Sequence, residues 1–171
     1  MSIEEIKKID IGGGERIPTL DEVIAITRGK IKLQPEIIAP GIVNDLITIL
    51  REKNLINTSI VSSFDIGELL KVKDIEPGLK IGYLIPKALR KVRMVKHYVQ
   101  RAIDNELYAI HPYFPIVDQE FVDLAHNNNL QVNVFTVNEE DTMRKLINLG
   151  VDGIFTDDIA LLNRTLGRIY Q

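Results

Sequence analysis

Glu36, Ser63, His111, Asn138 and Asp157 are polar residues that each interrupt or close an apolar run of the strand type. Glu36 lies in IKLQPEII beside Pro35. An acid is rarely buried without a partner, so Glu36 either points outward at a strand end or serves a site. His111 closes LYAIH and is followed by Pro112. It is either a site residue or a hydrogen-bonded structural histidine. Ser62-Ser63-Phe64-Asp65 closes TSIVSSF, and Thr156-Asp157-Asp158 closes the last apolar run. In parallel α/β folds such groups gather at the carboxyl ends of strands, where ligands bind.

The elements that must position them alternate. Ile31–Ile38, Thr58–Phe64, Lys80–Ile85, Leu107–His111, Val132–Val137 and Gly153–Thr156 read as six short strands. Between them run helical patterns: Ile42, Leu46, Ile49 and Leu50; Glu68, Leu69, Leu70 and Val72; Phe121, Leu124 and Ala125; Met143, Leu146 and Ile147. Leu161, Leu162, Leu166 and Ile169 form a closing helix. Thr19 is placed to cap the helix that ends near Gly29, and Asn138 can cap the one that opens with Glu139, Glu140 and Asp141. Gly12-Gly13-Gly14 has no preceding strand and no following Lys-Ser or Lys-Thr, which makes it a turn and not a phosphate loop. Gly82 marks a close backbone approach. The layout is a parallel α/β sheet, either an incomplete barrel or a doubly wound sheet.

Lys87–Arg101 is basic, with Lys87, Arg90, Lys91, Arg93, Lys96, His97 and Arg101 around an apolar stripe of Ala88, Val92, Val95 and Val99. It reads as a surface helix with a solvated basic face, or as a rim that attracts phosphate or a lipid surface.

Composition excludes more than it selects. The 171 residues suit one domain, and 45% hydrophobic with 26% charged residues is ordinary for a globular protein. A formal charge of -3 gives no reason to expect nucleic acid as a partner. The absence of cysteine excludes disulfides, thiolate zinc sites and thiol catalysis. No stretch resembles a signal peptide or reaches the roughly 18 apolar residues of a membrane span, so the default expectation is a cytoplasmic protein.

SIEEIKKIDIGGGERIPTLDEV, LQPEI, VSSFD, IGYL, AIHPYF and above all VNVFTVNEEDTMRKLINLGVDGIFTDD carry a resemblance to a known family. The chain resembles the C-terminal two-thirds of the glycerophosphodiester phosphodiesterases, a family of TIM-barrel enzymes. Phe135 stands where that family usually has tryptophan. The resemblance implies an incomplete (β/α) barrel of about six units lacking the first two, residues 1–171 forming one partial, truncated domain. It also implies hydrolysis of glycerophosphodiesters, with a magnesium or calcium ion held by carboxylates and two histidines as acid and base. By position Glu36 matches the acidic metal ligand of the family's Asn-x-Glu-Ile-Lys strand, with Gln34 and Ile38 replacing its Asn and Lys. The family's His-Arg-Gly, Glu-x-Asp and His-Asp motifs lie upstream of the matching segment, and none is expected anywhere in this sequence. The chain alone is therefore expected to be inactive, with Glu36 the one metal-ligand candidate. Ser63, Phe64, His111, Phe135, Asn138 and Asp157 are the substrate-pocket candidates. Pro35 and the last strand mark two open edges, which invite a homo-oligomer or a barrel-completing chain.

Overall fold

The structure is a computed structural model describing residues 2–88 and 92–168, with only the backbone of residues 92–94. The chain divides into two compact units, Met1–Leu33 and Gln34–Gln171.

The first unit contains two capped helices. In α1 (Ile3–Ile6) Ser2 accepts from the Glu5 N–H while the Glu5 side chain returns to the Ser2 N–H. Thr19 and Glu22 repeat that reciprocal arrangement at the start of α2 (Leu20–Thr27), as the sequence leads one to expect. An ion pair between Lys7 and Glu22 ties the two helices. Gly12, Gly13 and Gly14 all adopt positive φ in a turn closed by an antiparallel bridge between Asp10 and Arg16. Three consecutive left-handed residues would be costly for any other residue type.

The second unit is a five-stranded parallel sheet. Its strands are β1 (Ile60–Ser63), β2 (Lys80–Leu84), β3 (Ala109–His111), β4 (Gln131–Val134) and β5 (Gly153–Ile154). Their spatial order is β1-β2-β3-β4-β5. That order settles the choice left open by the sequence. A doubly wound sheet reverses strand order at a switch point, whereas a barrel advances one strand at a time, as this sheet does. The connecting helices are α3 (Val43–Glu52), α4 (Ile66–Ile75), α5 (Val92–Asp104), α6 (Gln119–His126), α7 (Glu140–Asn148) and α8 (Ile159–Thr165). Asp65, Asp118 and Asp158 cap α4, α6 and α8 by accepting backbone N–H bonds, and each cap directly follows or closely follows a strand or turn.

Register sorts the side chains. Ser62, Gly82, Ala109 and Gln131 are paired in sequence across β1 to β4, and Leu84 pairs with His111 on the same face. The alternate residues Val61, Ile81, Tyr83, Ile110, Val132 and Val134 are buried on the other face. Tyr83 stacks on Tyr98 of α5 with ring centroids 5.1 Å apart, which identifies that second face as the one covered by helices. Leu69 and Val72 of α4, Val99 and Ala102 of α5, Phe121 and Ala125 of α6, and Met143 and Leu146 of α7 complete this core.

Several sequence expectations change. The Ile31–Ile38 segment is not a strand: it makes one parallel bridge, Glu36 to Ser62, with Ser62 N–H donating to Pro35 O and Ile37 N–H to Ser62 O. Pro35 offers only a carbonyl, which suffices on the side facing β1 but cannot extend a ladder. Helix α3 buries Val43, Leu46, Ile47 and Leu50, while Ile42 lies outside it and is exposed. In α8 the fully buried residue is Asn163, with Leu161 and Leu162 half-buried and Leu166 exposed; Ile169 lies outside the described residues. Asn138 is not a helix cap. Glu139 occupies that position in α7, with no side-chain cap bond. Gly82 is a close approach, as expected: a Cβ there would lie 2.0 Å from Nε2 of His111.

Candidate functional site

The carboxyl ends of the parallel strands face one way, and the residue types read as functional from the sequence divide there into three groups. Ser63 and His111 are built into the structure. Ser63 Oγ donates to Ile37 O at 2.7 Å and accepts from Asp65 N–H at 3.0 Å, so its hydroxyl holds the bridging segment to the end of β1. His111 is 0% exposed, its ring lying over Gly82, against the edge of Phe155 and 2.8 Å from the Gln34 amide nitrogen. The amide donates, so Nε2 is the acceptor and the proton sits on Nδ1. Nδ1 has no hydrogen-bond partner in the described structure. Burial pushes the imidazole down to about 4, against smaller opposing contributions from the backbone of Ile110 and Asn133. The ring is enclosed and neutral and fills the inner face of the sheet, the arrangement of a structural histidine.

Asn138 and Asp157 form the second group. Thr156 Oγ1 and the Asp157 N–H both donate to Asn138 Oδ1, at 3.1 and 2.9 Å, while Asn138 Nδ2 donates to Asp157 at 2.8 Å. These bonds join the loop after β4 to the loop after β5. Both residues are exposed, but their polar atoms are already engaged with each other.

Phe64 and Phe135 belong to a third group that sequence reasoning found only in part. Phe64 follows β1 and is 42% exposed; Phe135 follows β4 and is nearly buried, its ring 6.1 Å from that of Phe64 and edge-on to it. Tyr113, two residues past β3, makes a parallel bridge to Phe135 and packs on Phe114 and Phe135 at 5.1 and 6.3 Å. Lys87, beyond β2, places its ammonium 5.4 Å from the Tyr113 ring centre and 6.0 Å from that of Phe135. The available signal was a large aromatic or basic residue just past each of four consecutive strands.

Glu36 stands at the β1 edge. It is exposed, but partial enclosure of its carboxyl raises it above the ordinary carboxylate range. The residue two further on, Ile38, is 85% exposed. Among the described residues no three His, Asp or Glu side chains come together to hold a metal ion. Calcium takes six to eight oxygen ligands and magnesium keeps its waters beside one or two carboxylates, so Glu36 by itself offers a single donor toward either ion. A Glu-x-Asp spacing does occur, at Glu139–Asp141, but at the start of α7 and not on a strand; Glu140 there receives Arg144 Nε at 3.0 Å. His97 lies on α5, and His126, at the end of α6, pairs with Asp152 at 2.8 Å.

A sequence model of the glycerophosphoryl diester phosphodiesterase family matches residues 1–161. The chain belongs to that family. It is similar to a glycerophosphodiester phosphodiesterase of Caldanaerobacter subterraneus, 36% identical over 170 residues that cover 92% of this chain and 68% of the relative. It is 26% identical to a glycerophosphodiester phosphodiesterase of Bacillus subtilis over 91% of this chain and 61% of that one. In fold it matches an Oleispira antarctica phosphodiesterase solved with the product sn-glycerol-3-phosphate. That match has a TM-score of 0.82 and 23% identity, and covers 97% of this chain and 70% of that structure. The chain thus spans between about half and seven-tenths of such family members, and the five parallel strands correspond to an incomplete TIM-type barrel. No helix among the described residues is long and apolar enough to cross a membrane.

Proposed function

We propose that this chain forms the phosphoester-binding arc of a glycerophosphodiester phosphodiesterase barrel and does not hydrolyse phosphodiesters by itself. The observation that carries the reading is the state of its three histidines. Cleaving a phosphodiester requires one group to take a proton and another to deliver one. His111 is sealed under the mouth, His97 lies on α5, and His126 pairs with Asp152 beyond the end of α6. Glu36 adds one carboxylate, and no cluster of three His, Asp or Glu side chains stands among the described residues to hold a hard cation.

The backbone supports a completing partner, either a second copy or a chain that supplies the remaining barrel strands. On one side β1 meets only the Pro35–Ile37 bridge, and on the other the two-residue β5 has no further strand partner among the described residues. Unpaired strand edges recruit strands. A cytoplasmic setting is part of the same proposal.

The test is a magnesium- and calcium-supplemented assay of the purified chain on glycerophosphoglycerol and on a chromogenic phosphodiester, run beside light scattering. The expected result is no turnover above background and a mass greater than one chain. Turnover abolished by Glu36→Gln would overturn the inactive reading, and a monodisperse monomer would overturn the edge argument. A second reading, an anion-binding module built on the basic Lys87–Arg101 segment, is favoured by Lys87 alone. Lys96 is already paired with Glu120, and Arg90, Lys91 and the Arg93 side chain lie outside the described residues.

A further inference from the structure

The ends of four consecutive strands bring together Phe64, Lys87, Tyr113 and Phe135, successive members of which lie 22 to 26 positions apart in the chain. An open cluster of aromatic rings is the usual receptor for a quaternary ammonium group, which the ring faces attract electrostatically. Here the chain's own ammonium occupies that position. Lys87 Nζ stands against the rings of both Tyr113 and Phe135, is exposed, and has no carboxylate partner among the described residues. The rings orient the amine but accept none of its three N–H donors as a conventional hydrogen bond would, so those donors remain available to an anion. Phe64, 42% exposed beside them, offers apolar surface to the carbon part of a ligand.

We infer that Lys87 is a specificity-determining residue, one that makes this mouth take phosphodiesters with an uncharged alcohol headgroup and reject those with a quaternary ammonium headgroup. The inference rests on the reading of this face as a phosphoester site. Its physical basis is separate, however. The phosphate and Lys87 attract, whereas a second cation brought to the same ring faces meets a like charge a few ångströms away. Ile38, exposed at the neighbouring edge, supplies no competing cation.

Two ligands isolate the effect because they share the glycerophosphodiester group and differ in the headgroup cation: glycerophosphoglycerol and glycerophosphocholine. Each is titrated by calorimetry at low ionic strength into the full chain and into Lys87→Met, Lys87→Arg and Tyr113→Leu, with circular dichroism to verify folding. The wild type is expected to bind glycerophosphoglycerol about tenfold more tightly. Lys87→Met is expected to weaken that ligand by about tenfold and to bring the ratio to one or invert it, because the ring faces become free for choline. Lys87→Arg should keep the wild-type order, and Tyr113→Leu should reduce the discrimination without a partner cation being lost. Equal binding of the two ligands by the wild type, or an unchanged ratio in Lys87→Met, overturns the inference and leaves the mouth a phosphoester site. Failure of the wild type to bind either ligand at millimolar concentration overturns the inference and the phosphoester reading together.

Discussion

The two faces of the sheet are made of different materials. The helix-covered face is Val61, Ile81, Tyr83, Ile110, Val132 and Val134, all buried and all large except the β-branched valines that suit a strand. The opposite face is Ser62, Gly82, Ala109, Gln131, Leu84 and His111, mostly small or polar. A complete barrel fills its interior with layers of bulky branched side chains contributed from all sides. In this arc of five strands the inner face is buried as well, at Ser62, Leu84, Ala109 and His111, and its largest polar filler is one imidazole laid across a glycine and held by the Gln34 amide. The difference assigns stability to the outer face and positioning to the inner one.

The outer face should break first and most severely. Leu69 of α4 is 0% exposed and packs in the helix layer. Leu69→Ala is expected to cost about 2–5 kcal/mol in urea unfolding, the range for a buried leucine that leaves a cavity. An inner-face substitution of the same size, Leu84→Ala at 6% exposure, should cost less, because Ser62, Gly82 and Ala109 on that face are small and give it fewer contacts to lose. Equal losses would show the two faces to be packed alike.

Acid should act through the inner face. His111 is held neutral by burial, down to about 4 against an ordinary value near 6.5. In the window between those values the unfolded chain binds a proton that the folded chain refuses. Stability is therefore intact above about 6.5, falls as pH drops toward 4, and levels off below it, with an upper limit of roughly 3 kcal/mol. Subtracting the profile of His111→Gln removes what the rest of the chain contributes to both, and the residual slope should lie between pH 4 and 6.5. Identical profiles would mean that the imidazole is not desolvated.

The outer face was largely legible in the sequence, because periodicity reports what packs against helices. Leu46, Leu50, Phe121, Ala125, Met143 and Leu146 were all found by spacing. Thr19 as a cap and Gly82 as a close approach were legible too, each because a single residue type has few physical uses. Asn138 was misread because a cap and a cross-loop clasp use the same side chain, and only the fold shows that Thr156 and Asp157 are within reach. The Lys87 cluster was legible only in part for a related reason. Phe64 and Phe135 stood out as pocket candidates and Lys87 as part of a basic segment, but Tyr113 looks like an ordinary residue past a strand, and only parallel order at successive strand ends makes the four neighbours. Pro35 was read correctly as an edge residue but not as the reason that its segment stops at one bridge.

The smallest predicted effect is also the most direct test of the inner face. Gly82 has an ordinary backbone conformation, so alanine there would bring no conformational penalty of its own. It would place a methyl group 2.0 Å from Nε2 and within 2.8 Å of two ring carbons of His111, well inside contact distance. The imidazole cannot yield far, since Gln34 holds Nε2 and Phe155 stands at its edge. Gly82→Ala should therefore destabilise by about 1–3 kcal/mol through overpacking. The same change made in His111→Ala should cost much less, because the methyl then enters space the ring has left. A coupling of about 0.5–3 kcal/mol between the two positions is the expected signature. Additive effects would mean that the ring moves aside without cost, and the inner face would then be a loose lining and not a positioned one.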